Sequence, residues 1–260
     1  MAIVDHALLD EQGYIVVRDF LDRTMTRRLR EHMDSLLPPI APPEQEGVTR
    51  VNTLRHPIPG AIMAKALNRP ALLDLAAELI HADDMRLLEQ VLIRTDPRPA
   101  PHGPGGWHID FAFLPEDYNA RPRRTYFHMV HALSTVEPGG GAFMIVPGSH
   151  RKTYQAAGDI GDRAGLKALK DDPIGVASID VSRAIEVPAD EGDLIIFNPM
   201  CLHSASGNAR DTPRYVYFAS FADAGATDFW AALDAMGYHK GFSESLRDNL
   251  PAALSKLLER

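Results

Sequence analysis

The chain has 260 residues and a formal net charge of -8 at pH 7, and 45% of its residues are hydrophobic. The length fits one large domain, and the acidic balance argues against nucleic-acid and anionic-membrane partners, which reward clustered Lys and Arg. With a single cysteine, Cys201, no signal-peptide pattern and no long apolar run, the sequence favours a cytoplasmic protein without disulfides or membrane spans.

The N-terminal third of the chain predicts mainly helices, with two short strands among them. The spacing of Leu29, Met33 and Leu36 is typical of an amphipathic helix, which Asp22 or Thr24 can cap. The predicted elements are a strand at 13–17, a helix at 22–37, a strand at 50–54 and helices at 61–67 and 70–80. We expect residues 1–84 to form a helical support for the rest of the domain.

From residue 85 the pattern changes to short strands separated by Gly, Pro and Asn turns. The predicted strands cover 87–94, 125–133, 142–146, 184–187, 193–197 and 214–221. Many short strands without regularly alternating helices indicate an all-β sandwich or barrel. We therefore predict a single domain, 1–260, with a β core at 85–222, a polar insertion at 152–180 that contains one short helix near 166–170, and C-terminal helices in 223–260.

His108 and Asp110 carry the first chemical prediction. They lie in an extended segment after a Pro/Gly-rich loop, and residues two apart in an extended segment point to the same side. They could supply two ligands of a 2-His-1-carboxylate triad, which binds Fe(II) and leaves coordination positions open. His203 follows an apolar strand and an Asn-Pro turn, and it is the candidate for the second histidine.

Arg214 is the fourth element of this pattern. It stands eleven residues after His203, at the start of an aromatic and β-branched strand. An arginine buried in a barrel needs an anionic partner, because it cannot lose its charge, and its fork of N–H groups suits a carboxylate. A structural ion pair is the alternative, but the position of Arg214 relative to a candidate metal ligand favours a bound carboxylate.

These residues, with the runs Phe143 to His150 and Gly192 to Phe197, resemble the phytanoyl-CoA dioxygenase family of Fe(II)/2-oxoglutarate-dependent oxygenases. The resemblance implies a mainly β fold with flanking helices, the double-stranded β-helix that is also called a jelly roll or cupin-like barrel. It implies O2 as a cosubstrate and Arg214 as the partner of the C5 carboxylate of 2-oxoglutarate. The Fe(II) ligands that it implies are His108, Asp110 and His203.

Further residues are predicted to contact 2-oxoglutarate. Similar proteins often carry a hydroxyl two positions after the distal histidine; that position is Ala205 here, and Ser206 is the substitute. Gln90 is on the strand before the metal motif and could face the cosubstrate or be a structural glutamine. Tyr126 and His128 share one face of the 125–133 strand, which we favour over the opposite face as the lining of the cavity.

Three residues are predicted on the substrate side. Trp107 and Phe111 flank the first two metal ligands as hydrophobic support, and Arg94 is one of several arginines near the loops expected to select the substrate. These arginines favour a small polar or anionic substrate. The number of protein chains in the assembly is not indicated by the sequence.

The resemblance implies hydroxylation, or another oxidation, of an unactivated C–H bond, with release of succinate and CO2. The carboxylate of Asp110 argues against halogenation, whereas desaturation, epoxidation and cyclisation stay open. Two other classes also stay open: a cupin-like metal enzyme with non-oxidative chemistry such as isomerisation, and a non-catalytic jelly roll that binds a ligand. Neither of these classes explains Arg214 together with the three candidate metal ligands.

Overall fold

The computed structural model describes residues 4–39, 51–98, 105–110, 126–235, 237 and 241–259. The strands within these ranges are β1 (Tyr14–Val17), β2 (Val51–Arg55), β3 (Met85–Thr95), β4 (Tyr126–Ala132), β5 (Phe143–Ile145), β6 (Ile185–Val187), β7 (Leu194–Phe197), β8 (His203–Ala205) and β9 (Arg214–Asp223). The α-helices are α1 (His6–Gln12), α2 (Arg23–Leu36), α3 (Ala61–Leu67), α4 (Pro70–Ile80), α5 (Ser149–Ile160), α6 (Arg163–Asp171), α7 (Pro173–Val176), α8 (Thr227–Ala235) and α9 (Glu244–Asn249).

The strands form two antiparallel sheets. The larger sheet has the strand order β1-β7-β4-β9-β3-β2, and the smaller one has the order β6-β5-β8. Side chains from both sheets meet between them: the ring of Phe143 in the smaller sheet lies 4.6 Å, centroid to centroid, from the ring of Phe197 in the larger. Two packed antiparallel sheets with crossing strand order are the architecture of a jelly roll. The prediction of a mainly β fold with flanking helices is confirmed.

Helices cover the outer face of the larger sheet. Every residue of β4 is buried, because its alternate side chains pack into two different hydrophobic cores, one on each face of the sheet. Met129 packs outwards into the core shared with α2, α3 and α4, while Val130 packs inwards between the sheets. The carboxylate of Asp22 caps α2 by accepting a hydrogen bond from the backbone N–H of Met25 at 2.9 Å, as its sequence predicted.

The insertion between β5 and β6 is more helical than predicted. It contains α5, α6 and α7 instead of one short helix near 166–170. The buried face of α5 is partly polar, so the spacing of apolar residues does not predict this helix. The hydroxyl of Thr153 donates to the carbonyl of Met200 at 2.6 Å, and that of Ser149 accepts from the N–H of Leu202 at 2.8 Å. These bonds attach α5 to the chain just before His203.

Two other elements differ from prediction. Among the C-terminal helices expected in 223–260, α9 is followed by a separate 3₁₀ segment, Ala252–Leu258, because Pro251 lacks the N–H that would continue the α-helix. The short strand β8 was not predicted, since three residues are too few to show a pattern. None of the helices in the described ranges combines the length and the hydrophobicity needed to cross a bilayer.

His131 is a fully buried histidine on the outer face of β4. Its Nδ1–H donates to the carbonyl of Tyr217 at 3.3 Å, and its ring stacks on the Tyr217 ring at 5.3 Å. Its Nε2 has no hydrogen-bond partner among the described residues. Burial, together with the positive charge of Arg69, lowers the pKa of His131 from 6.5 to about 3. The folded protein therefore holds this imidazole in its neutral form.

We predict that His131 makes the fold acid-sensitive. The unfolded chain binds a proton at this residue below pH 6.5 and the folded chain only near pH 3, so the stability from neutral His131 is lost as the pH falls between these values. His131→Gln should flatten the dependence of the urea-unfolding free energy on pH by up to about 1.4 kcal/mol per pH unit. Equal slopes for the two proteins between pH 6 and pH 4 would contradict this account.

Candidate active site

A backbone bridge brings His108 and His203 together. The N–H of each residue donates to the carbonyl of the other at 3.0 Å, which pairs the segment 105–110 with β8 in antiparallel fashion. The N–H of Gly105 extends the pairing by donating to the carbonyl of Ala205 at 2.9 Å. Residues directly opposite each other in such a pair project to the same side. The two imidazole centroids accordingly lie 4.3 Å apart.

Both histidines direct Nε2 at the carboxylate of Asp110. Nε2 of His203 lies 3.1 Å from Oδ2, and Nε2 of His108 lies 3.6 Å from Oδ1. Nδ1 of His108 faces the carbonyl of Gly106 at 2.9 Å, and Nδ1 of His203 faces that of Cys201, also at 2.9 Å. A carbonyl only accepts, so both Nδ1 atoms carry a proton, and the Nε2 atoms are the ones that can bind a metal.

These three residues fit a divalent metal. One ligand atom from each lies within 4.8 Å of the other two. Two imidazole nitrogens and one carboxylate oxygen form the donor set that suits non-haem Fe(II) and leaves coordination positions for other ligands. The hydrogen bonds to Nδ1 orient the imidazoles as metal-binding histidines require.

The protonation states also suit metal binding. Burial and the neighbouring His203 lower the pKa of His108, which keeps that imidazole neutral. Burial by itself would raise the pKa of Asp110, but the close imidazoles of His203 and His128 hold it well below the ordinary value. A neutral imidazole and an ionised carboxylate are the forms that bind a metal.

Arg214 is a buried cation without a counterion. No carboxylate pairs with its guanidinium among the described residues, and its Nε has no hydrogen-bond partner there. Burial lowers the pKa of Arg214 to about 10. The alternative that Arg214 serves a structural ion pair has no support in the described part of the chain.

Glycine makes room for this side chain. A Cβ on Gly141, whose φ is +77°, would lie 3.1 Å from Cδ of Arg214. The left-handed backbone and the close approach both require glycine at this position.

Three hydroxyl groups add unsatisfied donors in the strands around Arg214 and His203. The Oγ atoms of Thr95, Ser204 and Ser206 are buried and have no hydrogen-bond partner among the described residues. Thr95 is directly opposite Arg214 in the β3–β9 pair, so both side chains project to the same side. A buried unpaired donor costs about 1–3 kcal/mol, which a bound carboxylate would remove. A dicarboxylate with one carboxylate at Arg214 fits these donors.

Tyr126 and His128 line the cavity, on the face of β4 that the sequence favoured. Nε2 of His128 lies 2.9 Å from Oδ2 of Asp110, and its Nδ1 lies 3.0 Å from Oε1 of Glu89. Burial disfavours the charged imidazole, but the close carboxylates of Asp110 and Glu89 prevail and raise the pKa of His128 to about 9. The structure thus places His128 between two carboxylates.

Glu89 lines the cavity in place of the predicted Gln90. Gln90 faces the helices outside the sheet, where its side-chain N–H donates to the hydroxyl of Tyr217 at 2.9 Å. The register of β3 shifts at Leu88, so Leu88 and Glu89 both line the cavity. Such a bulge changes which alternate residues point inwards, and the sequence pattern does not reveal it.

The predicted substrate-side residues are also placed differently. Arg94 points away from the cavity and pairs with Asp96 at 2.9 Å and with Asp34 at 2.8 Å, so it is not free to bind substrate. Trp107 packs against the hydrophobic cluster beside α6 and α8 and does not line the cavity. Phe111 lies outside the described residues. Sequence patterns did not indicate Glu89 and Thr95 as site residues, because their positions depend on how β3 pairs with β9.

The cavity has a volume of about 380 Å³ and opens over the three candidate metal ligands. Its walls are mainly apolar, and two cationic side chains, Arg55 and Lys170, also reach it. The apolar part of the lining comes from both sheets and α8 and includes Leu88, Val91, Ile93, Tyr126, Phe143, Phe197, Phe218, Phe229 and Leu233. A cavity of this size suits a small organic molecule.

We predict that Gly141→Ala destabilises the protein. The new Cβ would need a left-handed backbone and would approach Arg214 to 3.1 Å, so urea denaturation should show a loss of about 1 kcal/mol or more. Gly158→Ala is the control, because it lies within α5 with nothing within 4 Å of the added Cβ and should be neutral or stabilising. Equal stability of Gly141→Ala and the parent protein would contradict the close approach to Arg214.

Comparisons with known proteins agree with this geometry. The family model "Phytanoyl-CoA dioxygenase (PhyH)" matches residues 9–216. Ectoine dioxygenase of Sphingopyxis alaskensis is 28% identical over 80% of this chain and 71% of its own length. Ectoine dioxygenase of Halomonas elongata is 25% identical over 79% of this chain and 65% of its own length.

The fold is shared with solved structures. EvdO2 of Micromonospora carbonacea var. aurantiaca, solved with 2-oxoglutarate, aligns with a TM-score of 0.60 and 18% identity over 85% of this chain and 92% of that one. The family match, which covers most of the chain, agrees with the His108–Asp110–His203 cluster. The chain therefore belongs to the phytanoyl-CoA dioxygenase family and is an Fe(II)- and 2-oxoglutarate-dependent dioxygenase.

Proposed function

We propose that this dioxygenase binds Fe(II) through His108, Asp110 and His203, binds the C5 carboxylate of 2-oxoglutarate at Arg214, and hydroxylates an unactivated C–H bond of a small polar molecule. The observation that carries this proposal is the buried guanidinium of Arg214, which has no counterion among the described residues and lines the same cavity as the metal cluster. A dicarboxylate that also binds the metal would satisfy both features at once.

The residues of the chain supply binding, orientation and a dry environment. His108 and His203 present their Nε2 atoms, and Asp110 adds the single negative charge of the ligand set. When bound, iron and 2-oxoglutarate together supply the oxidation of the substrate, coupled to release of succinate and CO2. The aromatic lining, such as Phe143 and Phe197, keeps water from the reacting centre.

Asp110 and Arg214 separate this proposal from the other classes. The carboxylate occupies the position that a halogenase would leave for chloride, which favours hydroxylation. A non-oxidative cupin-like enzyme would leave Arg214 without a use, and a non-catalytic jelly roll would not need the metal cluster. Desaturation, epoxidation or cyclisation would require only a different placement of the substrate over the same ligands.

Hydroxyl groups close to Arg214 should assist the C5 carboxylate. Ala205 lies two positions after His203 and has no hydroxyl to offer, whereas Ser206 and Thr95 each have a buried Oγ without a partner among the described residues. We assign the helper role to Thr95, with Ser206, because Thr95 is the direct cross-strand neighbour of Arg214.

Lys170 supports a substrate that carries an anionic group. It extends from α6 into the cavity wall, and its ammonium donates to the carbonyl of Ile109 between two of the metal ligands. An ammonium has three donors, and no carboxylate pairs with that of Lys170 among the described residues. The aromatic rings of Tyr126 and Phe229 line the same cavity and suit the rest of a small molecule.

The single, buried Cys201 agrees with action in the reducing cytoplasm.

An anaerobic titration with Fe(II) and 2-oxoglutarate tests the proposal. We expect a weak visible charge-transfer band in the parent protein and none in His108→Ala. Arg214→Met should weaken 2-oxoglutarate binding by about 30-fold, because it removes a buried charge-assisted pair. Arg210→Met is the matched control, since Arg210 precedes β9, is exposed, and its side chain contacts Glu137 and the carbonyl of Pro138 outside the cavity. Iron binding without a band would contradict the cosubstrate assignment and favour the cupin-like class.

A binding screen tests the charge of the substrate. In the presence of Mn(II) and 2-oxoglutarate, small carboxylates and other anions should raise the melting temperature more than neutral compounds of equal size. Lys170→Met should remove that preference, because it takes the ammonium out of the cavity wall while keeping the length of the side chain. A screen in which only neutral lipophilic compounds bind would contradict an anionic substrate.

A further inference from the structure

We infer that Glu89 and His128 form a buried carboxylate–imidazole pair that holds the carboxylate of Asp110 in position for the metal. His128 is then a positioning residue that acts through Asp110, in place of the 2-oxoglutarate contact expected from the sequence. The inference rests on the proposed metal centre at His108, Asp110 and His203.

The geometry of His128 carries the inference. Its Nδ1 lies 3.0 Å from Oε1 of Glu89 and 3.2 Å from Oγ of Ser220, and its Nε2 lies 2.9 Å from Oδ2 of Asp110. The exposed fractions of His128, Glu89 and Ser220 are only 6%, 2% and 0%. Nε2 of His128 has no hydrogen-bond partner among the described residues, so its contact with Oδ2 of Asp110 is a close ion-pair contact.

Each ring nitrogen of His128 faces a carboxylate, and an ionised carboxylate only accepts. His128 therefore contacts Glu89 at one ring nitrogen and Asp110 at the other. The hydroxyl of Ser220 donates to Oε1 of Glu89 at 3.3 Å, and Arg55 contacts Oε2 of Glu89 at 3.1 Å. A continuous line of contacts thus runs from Arg55, through Glu89 and His128, to Asp110.

This line of contacts supports the carboxylate of Asp110, which lies outside any strand and whose backbone N–H donates to the carbonyl of Pro199 at 3.0 Å. Glu89 and His128 belong to strands in the middle of the larger sheet. A carboxylate that contacts His128 with one oxygen keeps the other oxygen for the metal. Single-oxygen binding by Asp110 would leave more of the coordination sphere for 2-oxoglutarate and O2.

The test measures binding of Co(II) to the full-length protein without 2-oxoglutarate, by chelator competition and by the visible spectrum of the bound ion. Glu89→Gln and His128→Leu should each weaken Co(II) binding by about 10–100-fold and alter the spectrum. His128→Gln can still donate to Asp110, so it should recover part of the affinity. His131→Gln is the matched control, because it changes a buried histidine on the opposite face of the same strand and should bind Co(II) like the parent protein.

Parent-like affinity and spectrum in His128→Leu would overturn the inference, and weakened 2-oxoglutarate binding in that variant would then assign His128 to the cosubstrate. If His128→Leu does not fold, Glu89→Gln decides, because it preserves the size of the side chain and removes only the charge. Loss of Co(II) binding in His108→Ala is expected under the proposed function. Parent-like binding in His108→Ala would overturn the metal centre itself, which distinguishes the two failures.

Discussion

The pair of backbone hydrogen bonds between His108 and His203 is the constraint on which the site depends. The two residues are 95 positions apart in the sequence, and the bridge places their side chains on the same side of two adjacent segments. Each imidazole is then oriented by a carbonyl two residues earlier in its own segment. Backbone hydrogen bonds thus arrange the two candidate histidine ligands.

The buried charges of the site are arranged unevenly. Asp110 has His203 and His128 close to it, and Glu89 has His128 and Arg55. Arg214 has no such partner among the described residues, although burial of a lone cation is costly. We infer from this difference that the guanidinium of Arg214 is kept for the carboxylate of a bound dicarboxylate, which enters and leaves with each turnover.

The sequence was sufficient for features with a strong local pattern. The amphipathic helix α2, the proline-started helix α4 and the apolar strand β7 each show their periodicity over one segment. The metal cluster was predictable because His108 and Asp110 are two residues apart and the Arg214 offset from His203 supports the third ligand.

Features that depend on distant partners were not predictable in this way. The bulge at Leu88 decides that Glu89 and not Gln90 reaches the cavity, and only the register against β9 shows it. The polar face of α5 is stable because Thr153 and Ser149 bond to the segment before His203, which hydrophobic spacing cannot indicate. Arg94 was expected near the substrate, but Asp34 and Asp96 draw it to the outside of the barrel.

A crystal structure with Ni(II) and N-oxalylglycine, an unreactive analogue of 2-oxoglutarate, tests the central claim most directly. The account predicts one anomalous-scattering peak bonded to His108, Asp110 and His203, with the distal carboxylate of the analogue paired to Arg214. A metal bonded to His128 or Glu89 in place of this set, or an analogue whose distal carboxylate lies away from Arg214, would contradict it.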